Sequence, residues 1–321
     1  MKKRWYWLAL AGLLGLAVIA WQLKLPALAY YWLSMQQHAD DWQERGIWLP
    51  LYRVAVEGRP IDGITENASG LTFNKTTGTL FSVLNRPPEL IELSTEGRLL
   101  RRISLKGAGD PEGITHVRDD VFILSDEHQQ QLYRIRIGPE TKEVDVRDVP
   151  RLGLAIDYKT NLGFEGVSWD AAHQRLYITK EKSPLRIIVI NGLPELLEGR
   201  KFDLQISEWK SSQAKTLFMT DLSSLTLHEP TGNMLLMSHE SALIVEYAMD
   251  GTPISLLPMW RGFHGLKRNV PQAEGVAVGP DGTIYVLSEP NLFYRFERTQ
   301  PPAWATVPAT ATPGSGPNVS Q

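Results

Sequence analysis

The 321 residues include no cysteine, which excludes disulfides, thiolate metal sites and a cysteine nucleophile and is compatible with any compartment. A basic excess is missing too. Lys and Arg total 33 against 36 Asp and Glu, for a formal net charge of -3, and neither an arginine-rich stripe nor a zinc-finger spacing occurs. Nucleic acid is therefore not an expected partner. Histidine is sparse, with 7 in the chain and no pair at zinc spacing. His116, His128, His173, His228 and His264 are scattered and expected at the surface. Gly166-Val167-Ser168-Trp169-Asp170 lacks the second glycine of a nucleophile elbow, so a serine-hydrolase triad has no support.

Charge is absent from Trp5 to Leu23. As a helix this run would span about 28 Å, close to the roughly 30 Å of a bilayer core. Lys2, Lys3 and Arg4 precede it and are expected to stay cytoplasmic, which exports the remainder. Residues 1–29 thus read as a single-pass inner-membrane anchor, with Trp5, Tyr6, Trp7 and Trp21 where an aromatic belt would lie. The competing reading is a signal peptide cleaved after Ala27-Leu28-Ala29. Either way the folded part is expected to lie outside the cytoplasm. Residues 30–50 read as a short amphipathic juxtamembrane stalk ended by Gly46 and Pro50. The Pro-, Ala- and Thr-rich residues 299–321 lack the apolar content to fold and are expected to form a disordered tail.

What is present between residues 51 and 298 is a series of short strands separated by turn signals, an all-β pattern. Five segments align: Ala68-Ser69-Gly70-Leu71, Pro111-Glu112-Gly113-Ile114, Phe164-Glu165-Gly166-Val167, Leu222-Ser223-Ser224-Leu225 and Ala273-Glu274-Gly275-Val276. A second apolar run follows each, and directly after it comes Asn85, Asp126, Glu181, Glu240 or Glu289. Repeats of this kind, with a four-strand layout plain in the first and fourth, predict a five-bladed β-propeller of four-stranded antiparallel blades preceded by one transmembrane helix. The fifth repeat lacks an outermost strand, and Tyr52 to Val56 is expected to supply it and close the ring. Asn191 to Thr220 reads as an insertion with a short helix around Leu193 to Leu197. Arg261 to Gln272 is a second long connection, and either could form a lid.

Equivalent repeat positions converge on the axis of a propeller. Glu112, Glu165 and Glu274 then form one tier, and Asn85, Asp126, Glu181, Glu240 and Glu289 lie in or near a second. So many carboxylates round one opening repel each other, and a hard divalent cation relieves this. Ca²⁺, which takes six to eight oxygen ligands, fits the donor set, with two to four of these side chains as direct ligands. His239 and Lys180 stand just before the second column, as polar strand ends or as a base and a cation beside the metal.

The chain resembles the SdiA-regulated (YjiK-like) family of bacterial membrane-associated proteins over roughly residues 50 to 298. The resemblance is carried by the membrane-proximal N-terminus, Asn67-Ala68-Ser69-Gly70-Leu71, Asp110-Pro111-Glu112-Gly113-Ile114, Phe164-Glu165-Gly166-Val167 and Ala273-Glu274-Gly275-Val276. It implies a five-bladed propeller with a Ca²⁺ site, distantly related to NHL-repeat propellers, and no assigned activity. The expected protein is a monomeric, membrane-anchored, Ca²⁺-binding envelope propeller that presents its axial face to a small molecule or protein. The alternative is a Ca²⁺-dependent hydrolase of a lactone, ester or phosphoester.

Overall fold

Each alternating apolar run becomes a strand, and the strands assemble as five sheets round one axis. The computed structural model describes residues 2–154, 163–181, 184–200, 203–209, 217–301 and 304. From the inside outwards, the first blade consists of Ala68–Asn74, Thr79–Asn85, Pro88–Leu93 and Leu99–Lys106; Glu143–Asp145 adds a short parallel strand at its edge. The second contains Pro111–Arg118, Val121–Asp126, Gln131–Arg136 and Arg151–Gly153. The third contains Phe164–Asp170, Arg175–Lys180, Arg186–Asn191 and Gln205–Glu208. The fourth is Ser224–His228, Asn233–Ser238, Leu243–Tyr247 and Pro253–Pro258.

Closure takes the expected form. Tyr52–Pro60 pairs antiparallel with Leu292–Arg298, outside Ile284–Ser288 and Ala273–Val278, so the chain's first strand completes its last blade. The blades thereby form a closed ring rather than an open array. The core lies between blades rather than on the axis. Phe81 of the first blade meets Phe122 of the second at 4.9 Å between ring centroids, within a cluster of buried residues shared by both.

Two expectations for the connections change. The stretch 191–220 does contain helix Leu193–Leu197, but it also supplies the outermost strand of the third blade, Gln205–Glu208. All four residues of that strand are exposed, so it carries no apolar alternation. The connection 261–272 runs along the closing strand: His264 accepts from Val54 N through its carbonyl, and Glu57 Oε1 accepts from the amides of Lys267 and Arg268. It forms no lid, and of its residues only Gln272 reaches the axial mouth.

The stalk is likewise not free. Helix Leu25–Gln37 buries Met35 against the fourth blade, and Tyr31 stacks on Phe218 at 5.1 Å between centroids. A short helix, Ala39–Arg45, leads to Ile47 and Trp48, whose amides donate to the buried carboxylate of Glu246 at 2.7 and 3.0 Å. Asn233 Nδ2 and Ser255 Oγ complete its four donors.

His228 is a further correction. It is buried, not at the surface, and lies edge-on to Trp304 with centroids 4.5 Å apart. Burial pushes its imidazole down to about 4. Trp304 falls inside the expected tail; the rest of 299–321 beyond residue 301 lies outside the described residues.

Candidate axial cation site

The glycine after each first-column residue is dictated by how closely the inner strands approach. A Cβ on Gly275 would sit 2.8 Å from the carbonyl carbon of Gly70, and one on Gly166 would sit 2.7 Å from Leu225 N. On Gly113 a Cβ would collide with the carbonyl oxygen of Glu165, and on Gly70 with that of Glu112. Gly70 also has φ +51°, in the left-handed region that glycine enters without strain. The fourth blade replaces this glycine with Ser224, whose Oγ accepts from Val276 N at 3.2 Å.

The pairing register slips at the same point in four blades, between Ser69 and Leu71, Pro111 and Gly113, Phe164 and Val167, and Ala273 and Gly275. Each slip inserts an extra residue, a bulge that re-aims a side chain. At this level Glu112, Glu165 and Glu274 turn into one axial mouth. The cavity there, about 220 Å³, is lined by Asn85, Glu112, Glu165, Glu181, Ser223, His239, Gln272, Glu274 and Glu289.

Both predicted columns therefore contribute to one pocket. Asn85 of the first blade donates through Nδ2 to Glu112 Oε1 of the second at 2.8 Å. His239 of the fourth stands with Nδ1 3.6 Å from Glu274 Oε1 of the fifth. The end of the second strand in one blade thus meets the first column of the next.

Two predicted residues lie elsewhere. Asp126 is fully buried and accepts from the amides of Gly109, Asp110 and Gln129, at 2.6, 3.3 and 2.9 Å, which makes it a turn cap. Glu240 is exposed and does not line the cavity. Lys180 is buried beneath the rim and is not a lining residue.

The residue that the columns do not reveal is Asp221. It is fully buried and accepts from Ser238 Oγ and from the amides of His239 and Glu240, both at 3.2 Å. Its Oδ2 lies 3.0 Å from His239 Nδ1, within ion-pair distance although that nitrogen makes no hydrogen bond. Asp221 stands directly before the first-column motif, the position held by Asp110 in the second repeat, and belongs to neither predicted column. Two sets of side chains bring their ligand atoms within 4.8 Å of one another: Glu181, Asp221 and His239, and Asp110, Glu112 and Glu127.

The electrostatics follow from crowding. Burial, followed by repulsion from Asp110 and Glu127, raises Glu112 to about 7 even though Asn85 and Ser69 oppose the shift. Burial and the charges of Glu112 and Glu289 raise Glu274 to about 8. Glu165 goes well above the usual carboxylate range, from burial and then from Glu112, Glu127, Glu181 and Glu274. Glu127 and Glu289 are also raised, first by burial. Five glutamates line the pocket, and His239 is the sole side chain among the lining residues able to carry positive charge.

A family model described as SdiA-regulated matches residues 44–297. Among solved structures the chain is similar to a calcium-binding protein, regucalcin, from Agrobacterium tumefaciens strain C58, at 13% identity and TM-score 0.48, covering 76% of this chain and 94% of that one. It is similar to a luciferin-regenerating enzyme at 13% identity and TM-score 0.47, over 77% of this chain and 96% of that one. A chain of a nidogen/laminin complex matches at 13% identity and TM-score 0.44, over 70% of this chain and 73% of that one. None of these likenesses reaches the level at which a ligand or an activity transfers.

Proposed function

This chain belongs to the SdiA-regulated family, and from that premise we propose that it is a membrane-anchored periplasmic propeller whose axial mouth binds Ca²⁺ and presents that face to a ligand or partner. One observation carries the reading: Glu112, Glu165, Glu181, Glu274 and Glu289 converge on one small cavity with no lysine or arginine among its lining residues. The raised pKa values of Glu112, Glu165, Glu274 and Glu289 reflect burial and crowding that disfavour their negative charge, which a bound cation would stabilise. The donor set fits a hard cation. It consists almost wholly of oxygens, and the buried Asn85 Oδ1 has no hydrogen-bond partner, so it is free to coordinate. Asn85, Glu112, Glu165 and Glu274 would hold the ion. When bound, it supplies positive charge at the floor of the mouth. Ser223 and Gln272 add neutral oxygens to the lining.

The anchor reading is supported by helix Lys2–Gln22, whose segment Trp5–Gln22 is apolar enough to cross a membrane and is not buried against the rest of the protein. Its basic N-terminus favours a cytoplasmic start and a periplasmic propeller.

A second reading has its own observation. His239 opens on the same cavity with its Nδ1 3.0 Å from the buried Asp221 carboxylate, placed as a base or acid for a substrate bound at the mouth. It favours a hydrolase of lactones, esters or phosphoesters.

Thermal unfolding of the full chain in detergent, with Ca²⁺ and with chelator, tests the first reading. At one hundred times the dissociation constant a native-state ligand contributes about 2.7 kcal/mol, and the melting temperature should rise accordingly. Glu165→Ala with Glu274→Ala should abolish the rise. Equal melting temperatures with Ca²⁺ and with chelator in the parent chain would sink the cation site. If the parent binds Ca²⁺, survival of the shift in the double variant would move the site away from the mouth.

A further inference from the structure

From Trp5 to Gln37 the only charged residue is Lys24, so the apolar character of the first helix continues into the second. The two helices are separated at Lys24, which has φ 53°. Its ammonium donates to the carbonyls of Leu217 and Met219 at 3.2 and 2.5 Å. The residue just past the apolar span is thus fastened to the connection entering the fourth blade. This leaves no length of chain to serve as a spacer between the span and the propeller.

Helix Leu25–Gln37 is apolar on both sides. Ala27, Leu28, Tyr31 and Met35 pack on the propeller. The opposite side leaves Leu25, Tyr30, Trp32 and Leu33 exposed, at 44%, 67%, 49% and 55%. A helix that is hydrophobic all round is covered on all sides in its working environment. Beside it, Phe263 is 48% exposed and lies edge-on to Trp260. The two segments share an apolar cleft of about 300 Å³, lined by Leu25, Ala29, Trp32, Trp260 and Phe263 among others. The connection bearing Phe263, residues 261–272, carries Arg261, Lys267 and Arg268 and no acidic residue.

We propose that this surface is a lipid contact: the outer face of helix Leu25–Gln37, together with Trp260 and Phe263, lies in the headgroup–acyl boundary of the bilayer, and the edge of the fourth blade rests on the membrane. The proposal rests on the anchor reading above, and two features of the surface fit this occupant. It is continuous with the apolar span through Lys24. Tyr30, Trp32 and Trp260 are of residue types that prefer the membrane interface, and Arg261, next to Trp260 in the chain, suits anionic headgroups. A helix of this kind lies in the interface plane rather than crossing it.

The absence of cysteine makes the test clean. The full chain with Phe263→Cys, Leu14→Cys or Lys106→Cys is labelled with a polarity-sensitive fluorophore and reconstituted in phosphatidylethanolamine–phosphatidylglycerol vesicles. Nitroxide-bearing lipids are then added, and parent-like circular dichroism confirms each fold. Position 263 should lose about half its emission to a shallow nitroxide, as a probe roughly 5–10 Å deep would. Position 14 should respond to a deep nitroxide. Position 106, on the outer strand of the first blade, should respond to neither. Quenching at 14 without quenching at 263 overturns the lipid contact while the anchor stands; such a result would suit a protein partner on this face. Absence of quenching at both 14 and 263 removes the anchor and the contact together. Quenching at 106 equal to that at 263 also overturns the assignment, because the contact would not be confined to one edge.

Discussion

Asn85 Nδ2 donates to Glu112 Oε1 at 2.8 Å although the two residues belong to neighbouring blades. The bond favours the ionised form of a carboxyl that burial would otherwise keep protonated. Asn85 also turns a buried, unpartnered Oδ1 into the same region. Asn85→Ala removes both contributions, so Glu112 becomes harder to ionise and one oxygen donor disappears. Hydrogen bonds to charged groups contribute about 1.5–3 kcal/mol, so Ca²⁺ affinity should fall on the order of tenfold or more. Titration calorimetry at pH 7 measures this; an unchanged affinity would take Asn85 out of the site.

The raised carboxyls also set a pH dependence for the ion-free protein. Glu112 at about 7 and Glu274 at about 8 lie above the ordinary glutamate value of 4.5. Between that ordinary value and the raised ones, the native state holds protons that the unfolded chain has released. Stability without Ca²⁺ should therefore fall as pH rises from about 5 to about 8, by roughly 1.4 kcal/mol per pH unit for each carboxyl still protonated. With saturating Ca²⁺ the slope should flatten or reverse, since binding requires the carboxylates. Urea midpoints at pH 5, 6.5 and 8, with chelator and with Ca²⁺, decide this. Parallel curves would contradict it.

A different carboxylate holds the N-terminal helices to the ring. Glu246 Oε1 accepts from Ile47 N and Asn233 Nδ2, and Oε2 from Trp48 N and Ser255 Oγ. Glu246→Gln replaces one oxygen with an amide group that cannot accept, so two of four buried donors lose their partner. A loss of about 2–4 kcal/mol is expected, from roughly 1–3 kcal/mol per unsatisfied buried group. Ca²⁺ affinity should stay at the parent value, because Glu246 lies outside the mouth. Chemical denaturation and calorimetry on the same sample separate the two effects; parent-like stability would show that the anchor point is elsewhere.

The ring was legible in the sequence because each blade repeats one apolar pattern, and the missing outer strand of the last blade pointed directly to Tyr52–Val56. Glu112, Glu165 and Glu274 were legible for the same reason, since equivalent positions in a ring share an axis. Other features have no periodic signature. The exposed strand Gln205–Glu208 carries no alternation, because neither face is buried. Asp126 and Asp221 both accept backbone amides of local turns, and which turn presents its amides is not disclosed by the repeat position alone. His228 is buried by Trp304, a contact spanning blade five that local sequence around either residue does not disclose. Helix Leu25–Gln37 has the same composition whether it stands free or packs against the fourth blade.

The glycine that follows each acidic position links the fold to the site. A Cβ on Gly275 would lie 2.8 Å from both the carbonyl carbon of Gly70 and Leu71 Cβ. Part of that obstacle is backbone in the inner strand of the first blade, which cannot rotate away as a side chain can. Gly275→Ala must therefore push the fifth blade outward from the first. Overpacking of this kind costs about 1–3 kcal/mol. Gly138→Ala makes a suitable comparison, because the nearest atom to its Cβ would be Thr141 Oγ1 at 3.8 Å; a surface change there should stay within about 0.5 kcal/mol. Gly275 directly follows Glu274, so the same displacement moves a carboxylate of the mouth. Gly275→Ala should lower Ca²⁺ affinity as well as stability, whereas Gly138→Ala should change neither. Denaturation and calcium titration of both variants check the coupling: a Gly275→Ala protein that loses stability but binds Ca²⁺ like the parent would show that the mouth does not depend on the spacing of the inner strands.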